Sequence, residues 1–223
     1  MTDPRFVVRR VGSTALALAL ACTTVTALAS GAAADDSKML RPADVPYSTG
    51  DAQGPAMEAT ELPAVGGLQI CDATLGTRNV TIAGPKTFHE VIIQAGAGGV
   101  VGQLAYEFPS AEAAKRAWTQ AKNAAKQCAG TYRAKQKGLG KVTTRLTNGV
   151  AEAANGVWVK HSDTYASAKS AGRMKDVRYS VFTQAGNAIL VTSYTKLNTG
   201  VVQPGQQDAI IGLAQTLSTR WTS

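Results

Sequence analysis

His161, Ser162 and Asp163 set the three residue types of a serine hydrolase side by side. Adjacency is not a triad, because base, nucleophile and orienting acid must converge in space. No Gly-x-Ser-x-Gly nucleophile elbow accompanies them, and His89 is the only other histidine. The tripeptide reads as the polar end of a strand, with a secreted hydrolase as the minor alternative. Gly96-x-Gly98 after an apolar strand invites a dinucleotide fingerprint, but the third glycine position is held by Val101 and the residues beyond it read as strand. A hairpin turn is expected there, and no cofactor. Two isolated histidines and two cysteines suited to bridging do not make a metal site, and Asp35-Asp36 lacks calcium-loop spacing.

Tyr132, Trp158, Lys160 and His161 are aromatic, basic and polar residues near expected strand ends or loops. They are the ligand-binding candidates if they line one cleft; the alternative for each is core packing or simple exposure. Between Glu112 and Arg145 lie Lys115, Arg116, Lys122, Lys126, Arg133, Lys135, Lys137, Lys141 and Arg145, against the single acid Glu112. Such a stretch creates a positive surface field. Its partners are expected to be an unknown small molecule or an anionic envelope component, with attachment to a membrane peripheral at most.

The N-terminus says where this chemistry would operate. Arg5, Arg9 and Arg10 precede an Ala/Leu-rich run from Val11 to Ala29, and Ala32-Ala33-Ala34 follows before Asp35. That order is a secretory signal over residues 1–34, so a secreted, extracytoplasmic protein is expected and nucleic acid is excluded as a partner. Cys22 offers a lipoprotein anchor as an alternative, although Ala19 stands where a lipobox requires Leu. The 223-residue chain carries a formal charge of +8. Without the leader it keeps 189 residues, 20 of them basic and 14 acidic, enough for one domain with a real core. Cys71 and Cys128 then remain; an oxidising compartment favours a disulfide between them, the alternative being two buried thiols.

Residues 35–66 hold Pro42, Pro46, Pro55 and Pro63 and read as a linker or a strap, with one helical turn near Ser37–Leu40. The domain is expected over 67–223. Strands are predicted at Asn79–Ile82, Phe88–Gln94, Gly99–Phe108, Lys141–Leu146, Gly156–His161, Val177–Gln184 and Asn187–Thr195. Asn148-Gly149 reads as a turn, Ala185-Gly186 as a hairpin, and polar Ser162–Asp176 as a mobile loop. Ser110 caps a helix reaching Gln127, with Ala114, Trp118, Ala121, Ala125 and Cys128 on one apolar stripe. A second helix starts at Gly205–Asp208 and buries Ile210, Leu213, Ala214, Leu217 and Trp221. Antiparallel hairpins with two packed helices make the fold class α+β.

Met39-Leu40-Arg41-Pro42-Ala43-Asp44-Val45-Pro46, Leu68-Gln69-Ile70-Cys71, Tyr106-Glu107-Phe108-Pro109-Ser110-Ala111-Glu112-Ala113-Ala114, Gln127-Cys128 and Leu213-Ala214-Gln215-Thr216-Leu217 together resemble the PknH-like extracellular sensor domain family of actinobacteria. The resemblance spans most of residues 37–223. It implies a bent antiparallel sheet with helices, a disulfide-stapled frame and a ligand cleft, in a domain that occurs on receptor kinases and as stand-alone secreted proteins. Members often carry two disulfides; this chain has cysteines for one. A ligand-binding sensor domain without catalytic activity is therefore expected, or else a structural or protein-interaction component of the envelope.

Overall fold

The structure, a computed structural model, describes residues 38–45, 57–63, 67–71, 80–95, 99–136, 140–166, 173–197 and 205–223. The leader, its Cys22 alternative and the Gly96-Ala97-Gly98 turn lie outside these residues.

Eight strands form one antiparallel sheet in the order β1-β4-β5-β10-β9-β8-β7-β6. They are β1 (Met57–Pro63), β4 (Thr87–Ala95), β5 (Gly99–Glu107), β6 (Gly130–Gln136), β7 (Gly140–Ala151), β8 (Gly156–Ala166), β9 (Arg173–Ala185) and β10 (Ala188–Lys196). A separate two-stranded ladder joins β2 (Leu68–Ile70) to β3 (Val80–Ile82). The sequence and the fold agree on α+β with two helices, α1 (Ala111–Gln127) and α2 (Gln206–Thr222).

Each face of the sheet carries a helix because alternate residues of the central strands are apolar on both sides. On one face, Leu146, Val157, Val159, Phe182, Ile189 and Val191 pack with α1 and with the β2–β3 ladder. The stripe on α1 is mostly alanine, at positions 114, 117, 121, 124 and 125, with Trp118 as its bulky member. Small side chains let the helix axis approach the strands closely. Ser110 Oγ accepts from the Ala113 N–H at 3.2 Å and satisfies one of the helix's unpaired amides. On the other face, Tyr179, Val181, Leu190 and Tyr194 pack with Ile210, Leu213, Ala214 and Leu217 of α2. Met39, Leu40 and Val45 close that core from the N-terminal side. The buried Leu40 N–H donates to Gln103 Oε1 at 2.6 Å.

Cys71 follows β2 and Cys128 follows α1. They form a disulfide with a Cα–Cα distance of 5.3 Å, which clamps the small ladder against the helix.

Five expectations need correction. Ser162–Asp176 is not a loop over its whole length: β8 runs on to Ala166 and β9 begins at Arg173. Asn148-Gly149 is not a turn but lies inside β7, with Gly149 opposite Trp158. The glycine is there because the Trp158 ring lies over it; a Cβ at 149 would sit 2.5 Å from Cζ2 of that ring. Tyr132 is not at a strand end, since Gly130–Gln136 is itself a strand paired with β7. Within residues 35–66, read as a linker or a strap with no strand, Met57–Pro63 forms a strand paired with β4. The expected helical turn is displaced past Leu40, to a 3-10 turn at Pro42–Asp44; proline takes the first turn, where its missing N–H costs nothing.

Candidate functional site

Strand alternation divides the four binding candidates between the two faces of the sheet. Tyr132 and His161 lie on the α1 face. Tyr132 packs against the core beneath α1, and its hydroxyl donates to the Cys128 carbonyl at 3.4 Å. Trp158 and Lys160 lie on the α2 face, where Trp158 stacks on Tyr179 with ring centroids 5.4 Å apart. The structure therefore does not bring these four side chains into one cleft. A surface depression of about 380 Å³ lies on the C-terminal half of α2, lined by Gln215, Thr216, Thr219, Arg220 and Ser223; none of the four reaches it.

The same alternation separates His161-Ser162-Asp163. His161 and Asp163 share the α1 face, with Nε2 and Oδ1 3.4 Å apart, while Ser162 points to the other side of the sheet. Around His161 and Asp163 the structure gathers a polar group that the sequence reading did not assemble. Asp163 stands between Thr144 of β7 and Asp176 of β9, and His161 between Leu146 and Arg178. Thr144 Oγ1 donates to Asp163 Oδ1 at 2.5 Å. Tyr165 Oη donates to Asp176 Oδ2 at 3.0 Å. Arg178 Nη2 lies 3.4 Å from His161 Nδ1.

A guanidinium can only donate. His161 Nδ1 is therefore the acceptor in this contact, which leaves Nε2 facing the Asp163 carboxylate. Burial and the neighbouring Asp176 and Asp163 push the Tyr165 phenol up to about 12, so it remains a hydrogen-bond donor.

Cover explains why His161 is buried while the rest of this group is accessible. Val157 and Val159 are buried under α1, whereas Asp163, Tyr165, Met174, Asp176 and Arg178 farther along the strands are only half-buried. One end of β7–β9 thus offers fixed donors and acceptors: two carboxylates, a guanidinium and a phenol, backed by the buried His161 imidazole and beside the Tyr132 ring. The arrangement can hydrogen-bond a polar molecule from several directions. The Thr144 hydroxyl is directed at Asp163.

The second histidine is elsewhere. His89 is buried on the α2 face of β4, with Nε2 3.1 Å from Glu107 Oε1. Four strand steps separate β4 from β8. Among the described residues no three His, Cys, Asp or Glu side chains gather as metal ligands, and no helix is long and apolar enough to cross a membrane.

Sequence comparison finds no matching family model and no matching curated protein. A crystal structure of the extracellular domain of PknH from Mycobacterium tuberculosis matches in three dimensions, with a TM-score of 0.51 at 13% identity, covering 83% of this chain and 94% of that one. The two domains share a fold as distant structural relatives.

Proposed function

We propose that this chain is an extracytoplasmic sensor-type domain that binds a small polar ligand at the open end of β7–β9 and does no chemistry on it. The observation that carries the reading is the half-exposed group of Asp163, Tyr165, Asp176 and Arg178 around the buried His161, each fixed by a neighbour before any ligand arrives. Preorganised polar groups avoid the ordering cost of binding. The fold shared with an extracellular domain supports the sensor-type assignment, and the signal-like N-terminus supports export. Ser162 points away from His161, which supports a non-catalytic role.

Thermal-shift screening of the protein against cell-wall fragments, sugars and small carboxylates tests this. At least one compound should raise the melting temperature, and the shift should vanish in Arg178→Gln and in Asp163→Asn. A silent library, or a shift retained in both variants, would overturn the proposal.

A further inference from the structure

The opposite face of the same strands has a different character. Its outward positions are Thr131, Arg133 and Lys135 on β6, then Lys141, Thr143, Arg145 and Thr147 on β7. Lys160, Ser162 and Thr164 follow on β8, and Lys175 on β9, beside the buried Val177 and Tyr179. Six of these are cations and none is a carboxylate. Arg133, Lys135, Lys141, Arg145 and Lys175 are exposed and Lys160 is half-buried. Asp163 and Asp176, the acids of β8 and β9 here, alternate onto the α1 face and do not neutralise them. Asp208, in the first turn of α2, reaches only the margin of the patch, where its charge acts on Tyr179. Helix α2 packs on β9 and β10 and leaves the cations open to solvent.

The register fixes the shape of this array. Thr131, Arg145, Ser162 and Val177 form one cross-strand row, and Arg133, Thr143, Thr164 and Lys175 form the next. Strands lie about 4.8 Å apart and same-face neighbours about 7 Å apart along a strand. The cations therefore cover a patch about 14 Å across the strands and about 20 Å along them, with hydroxyls between them. Trp158, the large aromatic of this face, is turned into packing on Tyr179 rather than outward.

We infer that this face docks on an anionic lipid surface. The patch extends in two dimensions, has one sign and lacks an apolar wedge, which fits a plane of phosphate-bearing headgroups. A single polyanion chain would be followed by a groove or a stripe. Docking is electrostatic and peripheral. It leaves the His161 group on the other side of the sheet facing away from the lipid.

The test is partitioning of the full chain, disulfide intact, onto phosphatidylglycerol/phosphatidylcholine vesicles. Pure phosphatidylcholine vesicles subtract any contribution of the apolar N-terminal run. Each basic residue near an anionic surface is worth about fivefold in binding. The triple variant R133Q/K141Q/R145Q should therefore lose on the order of 100-fold, and added salt should weaken the wild type. The control K115Q/R116Q/K126Q removes equal charge from exposed positions of α1 and should bind nearly as the wild type does. Circular dichroism verifies that both variants fold. Equal losses in the two triples would reduce the effect to net charge and overturn the inference. So would wild-type binding to soluble polyphosphate with none to the anionic vesicles. A ligand response surviving in the β6–β7 triple separates this inference from the site on the α1 face.

Discussion

Asp44 and Arg220 stand 176 residues apart in the chain and share a two-pronged ion pair. Arg220 Nη1 donates to Oδ2 at 2.7 Å and Nη2 donates to Oδ1 at 2.5 Å. Arg220 also donates to the Met39 carbonyl at 3.2 Å, and the Arg41 N–H donates to Asp44 Oδ2 at 2.8 Å. This set of bonds fastens the N-terminal segment to the last helix. The Arg220 hydrogen bond holds the Asp44 carboxyl below its ordinary 3.8, against the opposing effect of burial.

A carboxyl whose folded value is depressed stabilises the protein above the unfolded value, and that contribution fades as pH falls through the folded one. Asp44→Asn should cost about 1–3 kcal/mol near neutral pH and flatten the acid limb of the stability curve below about pH 4. Urea unfolding across the acid range measures both. An unaltered acid limb would mean the pair does not hold the segment.

Gly149→Ala should destabilise the fold by about 1–3 kcal/mol, because the new methyl overlaps the Trp158 ring. Adding Trp158→Leu should recover part of the loss, a coupling that a double-mutant cycle reads directly. Strict additivity of the two changes would remove the packing explanation.

Cys71 and Cys128 close a loop with a sequence separation of 57. The chain-entropy relation puts the stabilisation at about 4 kcal/mol. The Cys71→Ser/Cys128→Ser double variant should lose that amount, and the wild type should fall to the same urea midpoint under reductant. A midpoint indifferent to reductant would contradict the clamp.

Tyr165 should ionise late, near pH 12, in an ultraviolet difference titration. Since its folded value is raised, the associated stability is present below about pH 10 and lost as pH climbs toward 12. Asp176→Asn should bring the phenol back toward the ordinary value, and Tyr165→Phe should remove the late transition. A normal titration of Tyr165 in the wild type would argue against its bond to Asp176.

The sequence revealed the parts of the fold that bury one clear stripe. Helix α1 was legible from Ser110 and its alanine spacing, α2 from Ile210 to Leu217, and the β9–β10 hairpin from its apolar runs around Gly186. What escaped was the far end of the sheet. From Asp163 to Tyr165 and from Met174 to Asp176 neither face is under a helix, so polar residues fall on both faces and the period of two carries no hydrophobic signal. That is also why Tyr165, Asp176 and Arg178 were not grouped with His161. Their proximity arises from cross-strand register, which depends on partners distant in sequence. Gly149 misled for a related reason: Asn-Gly is a turn signal locally, and only the Trp158 ring on the neighbouring strand explains it otherwise.

Strand β6 is the last of the eight, so among the described residues one side of its backbone has no partner strand. A bare edge is a template on which further chains can add. Here Arg133 and Lys135 stand along it, with Lys141 and Arg145 on the strand behind. A second molecule approaching edge to edge would bring like charge against like charge before any amide could pair. The rim of the sheet thus carries its own guard against open-ended growth.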